Sequence, residues 1–192
     1  MKKSMQTKQR ILTAAADLIQ QSAGDISTIT ARDIAQQSRV GLGLINYYFT
    51  SKENLVTLAV QSIIDGVIHA YIPKETADTD HERFYASALG VFNFLFEHPA
   101  LARISILNDL QSYSSDSNTI KTQNGFSRSL TTYDAPTQAY LSFLVTSILQ
   151  AAFLGQKTLN SQLGYDFTSE QQRSLFVRRL VNTLLPQGAD ND

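Results

Sequence analysis

The segment from Ser38 to Leu55, SRVGLGLINYYFTSKENL, gathers the side chains of this chain best suited to polar recognition. Asn46 carries an amide that donates and accepts at once, the pairing that matches the major-groove edge of an adenine. Tyr47, Tyr48 and Lys52 offer hydroxyl and ammonium donors suited to phosphate oxygens. Gly41 and Gly43 leave bare backbone, which another molecule can approach closely. Val40, Ile45 and Phe49 are spaced to turn inward on a short helix, which leaves Gly41, Leu42, Gly43, Asn46 and Tyr47 on the other side. The GLG sequence is no nucleotide fingerprint, because that needs a preceding strand and a third glycine. The tyrosines equally suit half-buried sites in a small helical domain, and Lys52 and Arg32 suit solvated surface sites. Spacing alone leaves both readings open.

Other chemistry is poorly served. The chain has no cysteine, which removes disulfides, thiolate nucleophiles and Cys-based metal sites. His69, His81 and His98 are scattered, without the i, i+4 partners of a metal site. Asp65 and His69 lie four apart on one predicted helix and read as a local pair. No nucleophile elbow is visible. Neither an enzyme nor a metal or cofactor site is expected.

The elements that must position these residues are helices. Of 192 residues, 43% are hydrophobic and 17% charged, enough for a packed core. The net charge of −1 argues against a nucleic-acid binder, but its distribution is uneven. Residues 1–54 hold seven Lys/Arg against four Asp/Glu, while the rest is acidic. Lys2 and Lys3 suit a basic arm. No run approaches ~20 apolar residues, so no membrane span is expected. The amphipathic N-terminus does not read as a signal peptide, and a cytoplasmic protein is expected.

Apolar periodicity predicts a first helix over 4–22, with Ile11, Leu12, Ala15, Leu18 and Ile19 on one face. Thr30 and Asp33 form a capping-box pattern that opens a second helix, ending near Ser38. A third runs from Leu42 to Tyr48. Ser51 caps a fourth that stops before Pro73. Further helices are predicted over 80–97, 100–112, 136–159 and 168–185. SYSSDSNTIKTQNG reads as a loop, 126–133 is left open, and the tail QGADND as frayed. The expectation is an all-α chain: a three-helix helix-turn-helix head at 1–54, then a larger helical body at 55–192.

At these residues the chain resembles the TetR family of bacterial transcriptional regulators. The stretch TARDIAQQSRVGLGLINYYFTSKENL follows the family pattern: Thr, Ile-Ala, a turn, Val, a short helix ending in aromatics, then Ser-Lys-Glu and Leu. The resemblance implies DNA binding, with Thr30 capping the second helix and touching a phosphate and Arg32 reaching a base or phosphate. Gly41, Leu42, Gly43 and Asn46 form the reading surface, and Tyr47, Tyr48 and Lys52 clamp the backbone. Arg39 replaces the usual turn glycine and can add a phosphate contact. Gly41 replaces the usual Ser/Thr cap, Asn46 an aromatic and Tyr48 a histidine.

For the body, the resemblance implies a homodimer, a small-molecule effector and a repressor of a near-palindromic operator. Expected dimer residues are Ser147, Ala151, Gly155, Leu175, Phe176, Leu180 and Leu184. An apolar effector pocket is expected from Phe84, Phe92, Phe96, Tyr113, Phe126, Tyr140 and Phe143, with Asn93 or Ser147 as a polar fixer. The fourth helix is expected to transmit the change. The alternative is a ligand-binding or adaptor protein whose head meets protein.

Overall fold

The prolines and polar caps divide the chain into helices, with no strand among the described residues. The structure is a computed structural model that describes residues 2–22, 26–70 and 79–186, with side chains over 4–22, 26–64 and 79–186. The side chains of Lys2, Lys3, Asp65 and His69, the Pro73 boundary and the tail after Pro186 lie outside the described residues. Two compact units emerge: residues 1–71 with 98–112, and residues 72–97 with 113–192.

The first unit contains α1 (Lys2–Gln21), α2 (Ala31–Ser38), α3 (Leu42–Tyr48), α4 (Lys52–Ala70) and α6 (Pro99–Gln111). The α1 helix buries Ile11, Ala14, Ala15 and Ile19 against α2 and α4. Those positions recur at three- and four-residue spacing, as an amphipathic helix requires. Ile34, Ile45, Phe49, Leu55 and Ala59 complete that core, and α6 packs on α4.

The second unit contains α5 (Asp80–Glu97), α7 (Asn118–Ser127), α8 (Ala135–Leu154), α9 (Gln156–Leu163) and α10 (Glu170–Leu184). Helix α5 packs on α7, α8 and α10. Its buried Phe84 and Phe92 meet Phe126 and Phe167, at ring centroid distances of 5.8 and 5.4 Å.

Two expectations are corrected. The polar stretch read as a loop contains α7. Its polar residues face a polar line on α8: Gln150 Nε2 donates to Thr119 Oγ1 at 2.9 Å, and Ser127 and Ser142 share a hydroxyl contact of 3.0 Å. A helix that packs through hydroxyls shows no apolar period. The single helix expected over 136–159 is also two. It ends at Gly155, whose N–H bonds back to Ala151 at 2.9 Å, and α9 then begins.

Candidate nucleic-acid interface

The head positions a seven-residue helix by two local devices. At the start of α2, the Thr30 hydroxyl accepts from Asp33 N–H at 3.2 Å, and the Asp33 carboxylate accepts from Thr30 N–H at 2.8 Å. This capping box satisfies donors that a helix start leaves orphaned. The Thr30 hydroxyl and N–H hold the Asp33 carboxyl below its ordinary value of 3.8. At the end of α2, Arg39 adopts a left-handed backbone with φ 53° and ψ 47°. Arg39 N–H bonds to Gln36 O at 3.1 Å, and Val40 N–H bonds to Ala35 O at 3.0 Å. These are the paired bonds of a Schellman cap, which suits glycine. Arginine there costs about 1–2 kcal/mol in backbone strain.

Ile45 of α3 is buried, Val40 just before the helix is half-buried, and Phe49 caps the helix from inside the core. Gly41, Leu42, Gly43, Asn46 and Tyr47 all face outward, and Tyr47 is 77% exposed. A Cβ built on Gly41 or Gly43 would meet nothing within 4 Å. Neither glycine has a positive φ. Folding therefore does not demand glycine at these two positions. Leu44, 41% exposed, extends the same outward surface and was not anticipated. Reading leucine as a core residue hides it, because a helix this short packs one side only.

The expected backbone-clamping residues are partly engaged within the head. Tyr48 Oη donates to Ser4 Oγ of α1 at 3.1 Å, and its ring lies edge-on to Tyr47 with centroids 5.1 Å apart. Lys52 Nζ donates to the Ile26 carbonyl at 3.0 Å. An ammonium has three donors, so two remain available. Arg32 is exposed on α2.

The residues expected to form a pocket do not converge. Phe84 contacts Phe126, while Phe92 and Phe96 join Phe153, Phe167 and Phe176 in a separate set of rings. Tyr113 is exposed. Tyr140 and Phe143 are 63% and 51% exposed on the outer face of α8, the face that also carries Ser147 and Ala151 by helical spacing. Asn93 accepts from Arg173 Nε at 2.7 Å.

Arg173, which sequence reading missed, is buried with its guanidinium over the Phe96 ring at 5.2 Å. Its Nη1 donates to the carbonyls of Phe167 and Thr168 at 2.9 and 3.1 Å. The available signal was its register, four residues before the buried Val177 and eight before Val181.

Of the residues expected at a dimer face, Leu175 is exposed and Leu180 and Leu184 are half-buried. Phe176 turns toward Phe167, with centroids 5.0 Å apart, because it completes the ring cluster. Gly155 serves its own chain: a Cβ there would stand 2.9 Å from Leu159 Cδ1 and 3.1 Å from Ala151 O.

Residues 11–59 match the family model for bacterial regulatory proteins of the tetR family. No match is found among curated protein sequences. Among solved structures, a TetR transcriptional regulator from a Rhodococcus species is similar at TM-score 0.60 and 16% identity, covering 96% of this chain and 99% of that one. A transcriptional regulator from Streptomyces coelicolor A3(2) is similar at TM-score 0.58 and 22% identity, covering 92% and 98%. The regulator FadR from Bacillus subtilis, solved in complex with stearoyl-CoA, is similar at TM-score 0.57 and 17% identity, covering 93% and 97%. At these identities the structures establish the fold over nearly the whole chain, and the family model establishes the head. Residues 11–59 thus carry the head of the tetR family of bacterial regulatory proteins, on a chain whose overall fold is that of solved transcriptional regulators.

Proposed function

We propose that this chain is a homodimeric repressor that reads a near-palindromic operator and leaves it when a small molecule binds. In this reading residues 1–54 are the DNA-binding head and residues 55–192 the effector-binding and dimerisation body. The observation that carries it is the outward face of α3, where Gly41 and Gly43 leave open space beside Asn46 and Tyr47. Asn46 pairs with a base edge, Gly41, Leu42 and Gly43 admit the groove wall, and Thr30, Arg32, Tyr47, Tyr48 and Lys52 meet phosphates. Two copies place their reading helices ~34 Å apart, one turn of DNA. The cytoplasm, where the chromosome lies, is the place of action.

The dimer face is the outer stripe of α8, Tyr140, Phe143, Ser147 and Ala151, continued by Leu175, Leu180 and Leu184 of α10. Tyr140 and Phe143 are thus reassigned from the pocket to the interface. FadR's complex with stearoyl-CoA supports an effector site in the body. Phe92, Phe96 and Asn93 are its proposed lining. An effector acts by binding one conformer more tightly than the other, and the coupling equals that difference.

Selection of bound duplexes from a random pool tests this reading. The expected product is two inverted half-sites one helical turn apart. Asn46→Ala is expected to cost about 1–3 kcal/mol at one base position and to relax preference there. Unchanged preference in that variant removes Asn46 from the reading surface.

A further inference from the structure

Arg173 is 7% exposed, yet no carboxylate pairs with its guanidinium among the described residues. Its hydrogen bonds all go to neutral acceptors. Nε donates to Asn93 Oδ1 at 2.7 Å, and Nη1 donates to the carbonyls of Phe167 and Thr168 at 2.9 and 3.1 Å. The Phe96 ring, 5.2 Å from the guanidinium carbon, adds a cation–π contact. These partners hold the group in place and leave its charge unbalanced. A buried charge is ordinarily paired, because taking it out of water is costly. Bracing the turn before α10 uses Nε and Nη1 only, and it asks for donors rather than for charge. An arginine has five N–H donors. Nε and Nη1 use three, and the two on Nη2 have no partner among the described residues. The ring set that holds Phe96 is partly open to water. Phe96, Phe176 and Tyr165 are half-buried, while Phe92, Phe153 and Phe167 behind them are buried.

We propose that Arg173 receives the carboxylate of a monocarboxylic acid with an apolar body, and that this class of molecule is the effector. The inference rests on the effector reading above and deepens it, because Arg173 is bonded to Asn93 and lies over Phe96, two residues of the proposed lining. A carboxylate oxygen accepts from Nη2 in a charge-assisted bond, and the surrounding rings strengthen that bond by excluding water. One guanidinium balances one carboxylate, whereas a phosphate monoester would bring about two negative charges to the same place. The apolar body covers the half-buried rings, which gains by the area it removes from water. Asn93 lies on α5 and Arg173 on α10, so an anion on Nη2 acts on the bond that joins these two helices. Helix α10 also carries part of the proposed dimer face, which gives such a ligand a route to the spacing of the two reading helices.

The test is calorimetric titration of the full-length protein with octanoate, octan-1-ol and octylammonium, which share a chain length and differ in charge. Octanoate is expected to bind about 10- to 100-fold more tightly than the alcohol, the range that a hydrogen bond to a charged group supplies. The ammonium is expected to bind weakest. Because Arg173 also braces its own chain, the deciding variant is Asn93→Asp, which keeps shape and acceptor and supplies the missing carboxylate from within. It is expected to lose the preference for octanoate, to bind octan-1-ol as the wild type does and to melt no lower. Arg179→Gln, at an exposed arginine of α10, keeps the preference. If the wild type binds octanoate no more tightly than octan-1-ol, or Asn93→Asp keeps the preference, the proposal is overturned, and duplex selection by the wild type still decides the DNA-binding reading separately. Octanoate that binds as expected yet leaves operator affinity unchanged overturns the effector role and the effector reading of this lining, and keeps the carboxylate site.

Discussion

Gly43 separates what the fold needs from what recognition needs. It sits inside α3 without a positive φ, and a Cβ there meets nothing within 4 Å. Interior glycine costs about 0.8–1.0 kcal/mol relative to alanine in a helix. Gly43→Ala is therefore expected to raise stability by about that amount in a thermal melt and to lower operator affinity in a binding titration. A variant improved in both would show that the bare backbone does not face DNA. Arg39→Gly is expected to part the same two quantities, gaining up to about 1–2 kcal/mol by releasing the left-handed strain while losing a cation. The inward and outward positions of α3 were legible because Ile45 and Phe49 obey simple spacing. The bonds of Tyr48 to Ser4 and of Lys52 to Ile26 were not, because their partners lie 44 and 26 residues away and no local pattern encodes them.

At the scale of elements, the start of α5 is tied down by a carboxylate. Asp80 is buried and accepts from Thr132 N–H at 2.8 Å, Thr132 Oγ1 at 2.7 Å and Thr131 Oγ1 at 2.9 Å, with Arg83 alongside. Burial alone would raise its pKa, but the N–H and hydroxyl of Thr132 and the hydroxyl of Thr131 outweigh it and bring the value below 3.8. A carboxyl depressed on folding contributes stability above its unfolded value and loses it as pH falls through the folded one. Asp80→Asn is therefore expected to lower the melting temperature near neutral pH. The gap to wild type should close as pH drops well below 3.8. A gap that stays constant across that range would mean the carboxylate charge is not what holds the 131–132 turn. The capping residues Thr30 and Ser51 made α2 and α4 readable, since each hydroxyl marks a helix start chemically. Helix α7 escaped because its contacts with α8 run through Thr119 and Ser127, which carry no hydrophobic period. The break before α9 escaped because Leu159 and Leu163 keep a four-residue spacing beyond Gly155, and only its backbone, with φ −93° and ψ 7°, ends α8.

At the scale of the molecule, α8 presents more apolar surface than one chain covers. Ala135–Leu154 is long and apolar enough to cross a bilayer by length and composition, yet only 39% of its most apolar window is buried. Its inner side is settled: Leu141, Val145, Leu149 and Phe153 are buried, and Ser142, Thr146 and Gln150 form hydrogen bonds on the same helix or with α7. The outer stripe keeps two large aromatics, Tyr140 and Phe143, in water. Burying such a side chain is worth on the order of 1.5–3 kcal/mol, so a pair on each of two copies supplies a substantial part of an interface. In the proposed function a second copy covers this stripe and supplies the second reading helix, and the sequence signal for it is a helix apolar nearly all round. The expectation that placed Tyr140 and Phe143 in a pocket drew on the same composition, and aromatic content does not tell which way a side chain faces: both are exposed on this chain. The double variant Tyr140→Glu with Phe143→Glu places four negative charges across the two-fold axis. Sedimentation is expected to report a monomer, with an unchanged melting profile for the head. Affinity for the two-half-site operator should fall toward that of a single half-site, because the second contact loses its intramolecular advantage of about 10²–10⁴. A variant that still sediments as a dimer and binds the full operator with wild-type affinity would move the interface off this face of α8.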